Sequence, residues 1–243
     1  MSNAWHEEMQ AVAKSGGRVS DRDIADKVRH AVLMQRLPPG TKLPEITLGE
    51  VFGVSRSVVR KSLTRLASEH VIDQRPNQVA RVRAPSVEET RETFDARRLV
   101  EGEIAAQLAG RLSPEALEAL ERQADLETEA FRGGDEPARI EHSLTLHHLL
   151  AEHSPNRVLG GMLTDLVLRT SIVVALYKRS GLASCYQEGQ HGRLLRHLAS
   201  GDAEAARGAI HDHLNGLEAL LDLSPREARI DLMSILGHTP EQA

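Results

Sequence analysis

Three histidines, His147, His191 and His213, are the residues of this chain best suited by type and spacing to do chemistry. Each falls on an apolar stripe at helical spacing: His147 with Leu144, Leu150 and Ala151, His191 with Leu194, Leu195 and Leu198, His213 with Ile210, Leu214 and Leu217. Imidazoles from three helices converging on one interior make a natural site for a borderline divalent cation. Taken singly, each also reads as a hydrogen-bonded core histidine. His142, His148, His153, His197 and His211 are expected at the surface. Arg97 and Glu101 stand one helical turn apart. Either the guanidinium takes the carboxylate of a small ligand, or the two simply pair with each other. A second set is basic. Arg56, Ser57, Arg60, Lys61 and Thr64 share one side of a predicted helix, with Val59, Ser62, Leu63 and Leu66 on the other. Arginines one turn apart near a helix start suit phosphates and base edges. A solvated amphipathic helix would show the same basic face.

These residues need helices to position them. Ser20 is a plausible cap for a helix over Asp21–Arg36, which Leu37-Pro38-Pro39-Gly40 terminates. A short helix over Thr47–Phe52 follows, then Gly53-Val54-Ser55, with Ser55 capping a longer helix that runs to about Glu69. Short helix, tight turn and capped second helix make a helix-turn-helix. Val71 to Val82 partly alternates apolar and polar residues around Pro76-Asn77, the pattern of a β-hairpin. Its place makes it a wing, carrying Arg75, Asn77, Gln78 and Arg81. From Ser86 the pattern is helix after helix, broken at Gly133-Gly134, Ser154-Pro155, Ser180-Gly181 and Ser200-Gly201. The fold expected is mainly α: a winged helix-turn-helix at 18–85 and an antiparallel bundle of six or seven helices at 86–223. A flexible N-terminus at 1–17 and a tail helix within 224–243 flank them.

Composition fits this division. Aromatics are only 2% of the 243 residues, so the cores must be aliphatic. From Arg18 to Arg83 there are 13 Lys/Arg against 7 Asp/Glu, and from Ser86 onward 16 against 26. A basic module followed by an acidic body fits nucleic-acid binding by one part only. With one cysteine, Cys185, no internal disulfide framework is possible. No apolar run approaches the ~20 residues of a membrane helix, and residues 1–10 lack a leader's apolar stretch. A cytoplasmic protein without membrane partners is therefore expected.

The run Leu37-Pro38-Pro39-Gly40-Thr41-Lys42-Leu43-Pro44-Glu45, followed by Gly53-Val54-Ser55-Arg56-Ser57-Val58-Val59-Arg60-Lys61-Ser62-Leu63-Thr64-Arg65-Leu66, resembles the DNA-binding domain of GntR-type regulators. Arg97 to Glu101, Leu146-His147 with Ser154-Pro155-Asn156, His191 to Leu195, and Gly201 to Leu214 resemble the FCD effector domain of the FadR-like branch. The resemblance implies a homodimeric transcriptional regulator, usually a repressor, on a near-palindromic double-stranded operator. Ser55, Arg56, Ser57, Arg60, Lys61, Arg65, Asn77 and Gln78 would face DNA. It implies a small organic-acid effector near Arg97, Glu101 and Ser143, and one divalent ion (zinc, nickel or manganese) on His147, His191 and His213. This chain departs from the pattern at Ile46, where many members have Arg, at Ser143, where metal-containing members have Asp, and at Gln190, where many have Glu. The rival readings are a metal-dependent hydrolase and a metal-sensing helical bundle. Against the first stand the missing HExxH motif and nucleophile elbow.

Overall fold

The computed structural model describes residues 19–33, 36–179 and 184–223. The expected flexible N-terminus at 1–17 and the tail helix at 224–243 lie outside them. The chain forms two compact units that divide between Ala84 and Pro85.

The first unit runs α1 (Asp21–Leu33), β1 (Lys42–Leu43), α2 (Glu45–Phe52), α3 (Arg56–Ser68), β2 (Ile72–Asp73) and β3 (Ala80–Val82). The entry to α1 is closed reciprocally. The Ser20 backbone N–H donates to Asp23 Oδ2 at 2.8 Å, and the Asp23 N–H donates to Ser20 Oγ at 3.2 Å. Ile24, Val28 and Val32 of α1 meet Val59, Leu63 and Leu66 of α3 in an aliphatic core with no exposure above 1%. The wing pairs β2 with β3, Ile72 opposite Val82. A third strand, β1, adds to the far edge of β3 with Leu43 opposite Ala80. This strand was not expected. It is two residues long, too short for alternation to show.

The second unit contains, among the described residues, α4 (Val87–Leu108), α5 (Pro114–Arg132), α6 (Glu136–Glu152), α7 (Arg157–Tyr177), α8 (Gln190–Ser200) and α9 (Ala203–Glu218). Five of the six begin on a side chain that accepts a backbone N–H: Ser86, Ser113, Asp135, Asn156 and Asp202. Such caps each contribute about 1 kcal/mol and set where each helix points. Helix α4 packs on α7 and α9, α5 on α6 and α8, α6 on α7, and α8 on α9. Phe94, Ile104, Leu120, Leu146, Leu150, Leu163 and Ile210 fill the centre.

One expectation is corrected by α7. At 21 residues it is long and apolar enough to cross a membrane by composition alone. Thr164, Asp165, Arg169 and Thr170 interrupt its apolar run. Leu163, Val167, Ile172, Val173 and Leu176 are buried, and α7 packs on α4 and α6. The bundle core takes up part of that apolar content, while Val158 and Met162 remain exposed.

Candidate functional site

In the first unit, Gly53 ends α2 in the left-handed conformation at φ 63°, its N–H returning to the Gly49 carbonyl. A side chain is disfavoured in that conformation, so glycine sets the tight turn. Ser55 occupies the N-cap of α3, yet its hydroxyl meets Ser57 Oγ at 2.8 Å and caps no backbone N–H. That corrects the capping expected from sequence. Val59, Ser62, Leu63 and Leu66 are buried, while Ser55, Arg56, Ser57, Arg60, Lys61, Thr64 and Arg65 are exposed. Within this exposed set the arginines differ. Arg60 lies against Glu45 of α2, with Nε to Oε1 at 3.1 Å and Nη2 to Oε2 at 2.9 Å. Arg65 reaches back to Asp21 of α1 at 3.4 Å. Ile46 is 55% exposed beside Glu45. At the wing tip Asn77 adopts φ 58°, a left-handed turn that asparagine tolerates. The Gln78 N–H closes the turn on the Arg75 carbonyl at 3.2 Å. Both Asn77 and Gln78 are exposed.

In the second unit, His147 of α6, His191 of α8 and His213 of α9 come together. Their ring centroids lie 4.6 to 5.2 Å apart, and one ring nitrogen from each falls within 4.8 Å of the others. Each ring is held through Nδ1. His147 bonds to Glu101 Oε1, His191 to Glu127 Oε2 at 2.5 Å, and His213 to Gln190 Oε1 at 2.9 Å. An acceptor behind each Nδ1 favours the tautomer that donates from Nδ1 and leaves Nε2 as the ligating nitrogen. Burial drives His147 down to about 4 despite the pull of Glu101. Burial, then His191 and His147, push His213 well below the imidazole range. Both rings are therefore neutral near pH 7, the form that ligates a metal.

Behind these rings lies a layer of charge. Burial opposes ionisation of Glu101, but Arg97 and His147 outweigh it and hold its carboxyl at about 2. Arg97 donates from Nε to Glu101 Oε2 at 2.7 Å and from Nη1 to Thr170 Oγ1 at 2.5 Å. The pairing expected as one alternative is thus present, but buried and not on a helix surface. Both Glu101 oxygens are taken, which puts this residue behind His147 and not in front of a ligand. Glu127 is likewise held low, His191 and Arg139 together overcoming its burial. Arg139 reaches it at 3.3 Å and grips Glu136 through Nε at 2.8 Å. The Gln190 amide bridges onward, its NH2 donating to Gln187 Oε1. Gly216 of α9 passes beneath that contact, where a Cβ would overlap the Gln187 amide. Ser143 sits half-buried one turn before His147.

Glu127, Arg139 and Thr170 were missed from sequence. A signal existed for Glu127, which continues the buried stripe Ala116, Leu120, Ala124 of α5. A carboxylate on an apolar stripe asks for a buried partner. The surface assignment of five other histidines holds only for His148. His142, His153, His197 and His211 are half-buried, and His142 Nδ1 bonds to Gln123 at 3.0 Å.

The donor set suits a divalent ion. The Nε2 atoms of His191 and His213 are buried without a hydrogen-bond partner, as is Arg97 Nη2. Each such atom costs about 1–3 kcal/mol if nothing meets it.

Residues 21–82 match the model of bacterial regulatory proteins of the gntR family, and residues 92–216 match the FCD domain. The chain belongs to the GntR family, in its FCD-domain branch. An uncharacterized HTH-type regulator in an unstable DNA locus of Streptomyces ambofaciens is 29% identical over 242 residues, covering 95% of this chain and 92% of that one. The regulator LutR of Bacillus subtilis (strain 168) is 25% identical over 209 residues, covering 76% and 93%. Escherichia coli McbR/YncC shares the fold at a TM-score of 0.69 and 22% identity, covering 81% of this chain and 94% of its own. The matched families are transcriptional regulators and not enzymes, so the hydrolase alternative is not favoured. The first unit is thus a GntR DNA-binding head, and the histidine cluster lies inside the FCD domain.

Proposed function

We propose that this GntR regulator is a repressor that binds a near-palindromic double-stranded operator as a homodimer and answers to a small organic acid held in its FCD domain. On this reading His147, His191 and His213 hold one divalent ion (zinc, nickel or manganese). The observation that carries it is that three of the four buried, unpartnered side-chain polar atoms among the described residues belong to this cluster and its arginine: Nε2 of His191 and His213, and Nη2 of Arg97. Two are imidazole nitrogens suited to a cation, and one is a charged donor suited to a carboxylate. A bound ion would supply a Lewis-acidic position for an effector oxygen. The chain's own residues do the rest. Glu101 and Glu127 orient two imidazoles and raise their basicity. Gln190 orients the third, and Arg97, braced by Glu101 and Thr170, presents its free edge to the anion.

In the head, Arg56, Arg60 and Lys61 would take phosphates and base edges while Asn77 and Gln78 of the wing reach the backbone. A dimer is supported by apolar side chains left in solvent on neighbouring helices of the FCD domain: Leu99 of α4 at 73%, Val158 and Met162 of α7 at 66% and 51%. Effector binding shifts DNA affinity only to the extent that it favours one arrangement of the dimer. Acting on chromosomal DNA, the protein would work in the cytoplasm.

The test is calorimetry of chelator-treated protein with zinc, nickel and manganese, each with and without short organic acids. One ion per chain in the parent, lost in His191→Ala and His213→Ala, is expected. Equal uptake by parent and both variants overturns the metal reading. Organic acids that bind as tightly to Arg97→Met as to the parent overturn the effector site.

A further inference from the structure

The pair formed by Arg60 and Glu45 poses a problem that the DNA-binding reading does not itself resolve. A recognition face works by attracting phosphates, and a carboxylate on it weakens every such contact. Glu45 nevertheless sits 30% exposed against the 66% exposed side chain of Arg60. An exposed ion pair contributes at most about 1 kcal/mol to stability, a weak reason for a carboxylate at this place.

The geometry supplies another reason. A guanidinium offers donors along two edges, a side formed by Nε and Nη2 and an end formed by Nη1 and Nη2. Glu45 occupies the side, with both its oxygens engaged at 3.1 and 2.9 Å. The end is left facing outward with two parallel N–H bonds, the fork that matches O6 and N7 of guanine. An arginine with a free side chain can swing to any nearby phosphate. One gripped along its side is restricted in χ and delivers the end-on fork to a fixed place. The grip is anchored. Glu45 is the first residue of α2 and Arg60 lies in the second turn of α3. The angle between these helices is set by Gly53 at φ 63° and by the Val54 N–H bonded to the Gly49 carbonyl at 3.0 Å.

We propose that Glu45 is the positioning residue for base readout by this head: it aims Arg60 at a guanine in the major groove, trading general DNA affinity for sequence discrimination. The inference rests on the reading of α3 as the recognition helix. It differs from that reading in predicting opposite effects on specific and non-specific binding.

The experiment selects preferred sites from randomised duplexes with the full chain, then measures Kd for the selected site, for that site with each guanine replaced in turn, and for an unrelated duplex. Parent, Glu45→Gln and Arg60→Ala are compared at two salt concentrations. Arg60→Ala identifies the guanine read by Arg60, whose replacement costs the parent about tenfold or more. Glu45→Gln should lose most of that discrimination at the same guanine, while its Kd for the unrelated duplex stays equal or tightens. Retained discrimination in Glu45→Gln overturns the proposal. So does equal weakening on all duplexes with a lowered Tm, which would make Glu45 a purely structural residue. A parent that selects no sequence fails differently, because it removes the recognition helix itself.

Discussion

Replacing Glu101 by Gln removes one charge and almost no volume from an ion pair whose side chains are 3% and 0% exposed. The carboxylate accepts from Arg97 Nε at 2.7 Å and from His147 Nδ1. An amide has one acceptor oxygen, so its NH2 must face one of these two donors. Arg97 keeps its charge at 2% exposure with no counter-ion against it. Removing one member of a buried pair costs about 3–5 kcal/mol. The linkage route gives a compatible figure. A carboxyl held at about 2 against an ordinary 4.5 corresponds to about 3 kcal/mol at neutral pH, at roughly 1.4 kcal/mol per unit. For a unit of this size that is a Tm lowered by roughly 10–20 °C. Urea and thermal unfolding of the metal-free protein at pH 7, followed by circular dichroism, measure it. The double variant Arg97→Met, Glu101→Leu removes both charges and should be more stable than Glu101→Gln alone. A Glu101→Gln protein within about 1 kcal/mol of the parent would behave like a surface pair and refute the reasoning.

Acid should destabilise the metal-free FCD domain from two sides. His147 is held near 4, below its ordinary 6.5, so the unfolded chain takes up a proton first and stability falls as pH drops from about 6.5 toward 4. Glu101 is held near 2, so its contribution is full above about 4.5 and fades toward 2. Urea midpoints measured from pH 7.5 to 4 should decline steadily; a flat profile contradicts this. Ser143→Asp adds a carboxylate one turn before His147, and cobalt or zinc affinity should rise at least tenfold in calorimetry, whereas Glu127→Gln should lower it about 10–100-fold. Gly53→Ala places a side chain at φ 63° and should cost about 1 kcal/mol, read as a lower Tm of the head with the FCD transition unmoved.

Much of this was legible in the residue pattern because helical periodicity is a strong signal. The buried set of α3, Val59, Ser62, Leu63 and Leu66, falls where the spacing puts it. The three histidines share stripes with Leu150, Leu194 and Ile210 and so had to turn inward. What stayed hidden depends on pairing between distant segments. Glu127 and His191 are 64 residues apart and Arg97 and Thr170 are 73 apart, and no local rule joins them. Strand β1 exists because β3 offers it an edge, which two residues cannot announce. Ser55 looked like a cap by type, but its neighbour Ser57 competes for the hydroxyl. Glu101 looked like a ligand contact because its helix neighbour Arg97 did. Only the arrival of His147 from another helix shows which way it faces.

The bare turn of α9 at Gly216 has an evolutionary consequence. The Gln187 amide lies where any side chain at 216 would have to go, and that amide steadies Gln190, which steadies His213. Two positions 29 residues apart are therefore coupled through one side chain. A lineage that acquires alanine at 216 must swing the Gln187 amide aside, which a flexible side chain allows but which gives up its contact with Gln190. Relatives that retain all three imidazoles but carry a side chain at 216 should hold the residue at 190 by some contact other than the amide of 187.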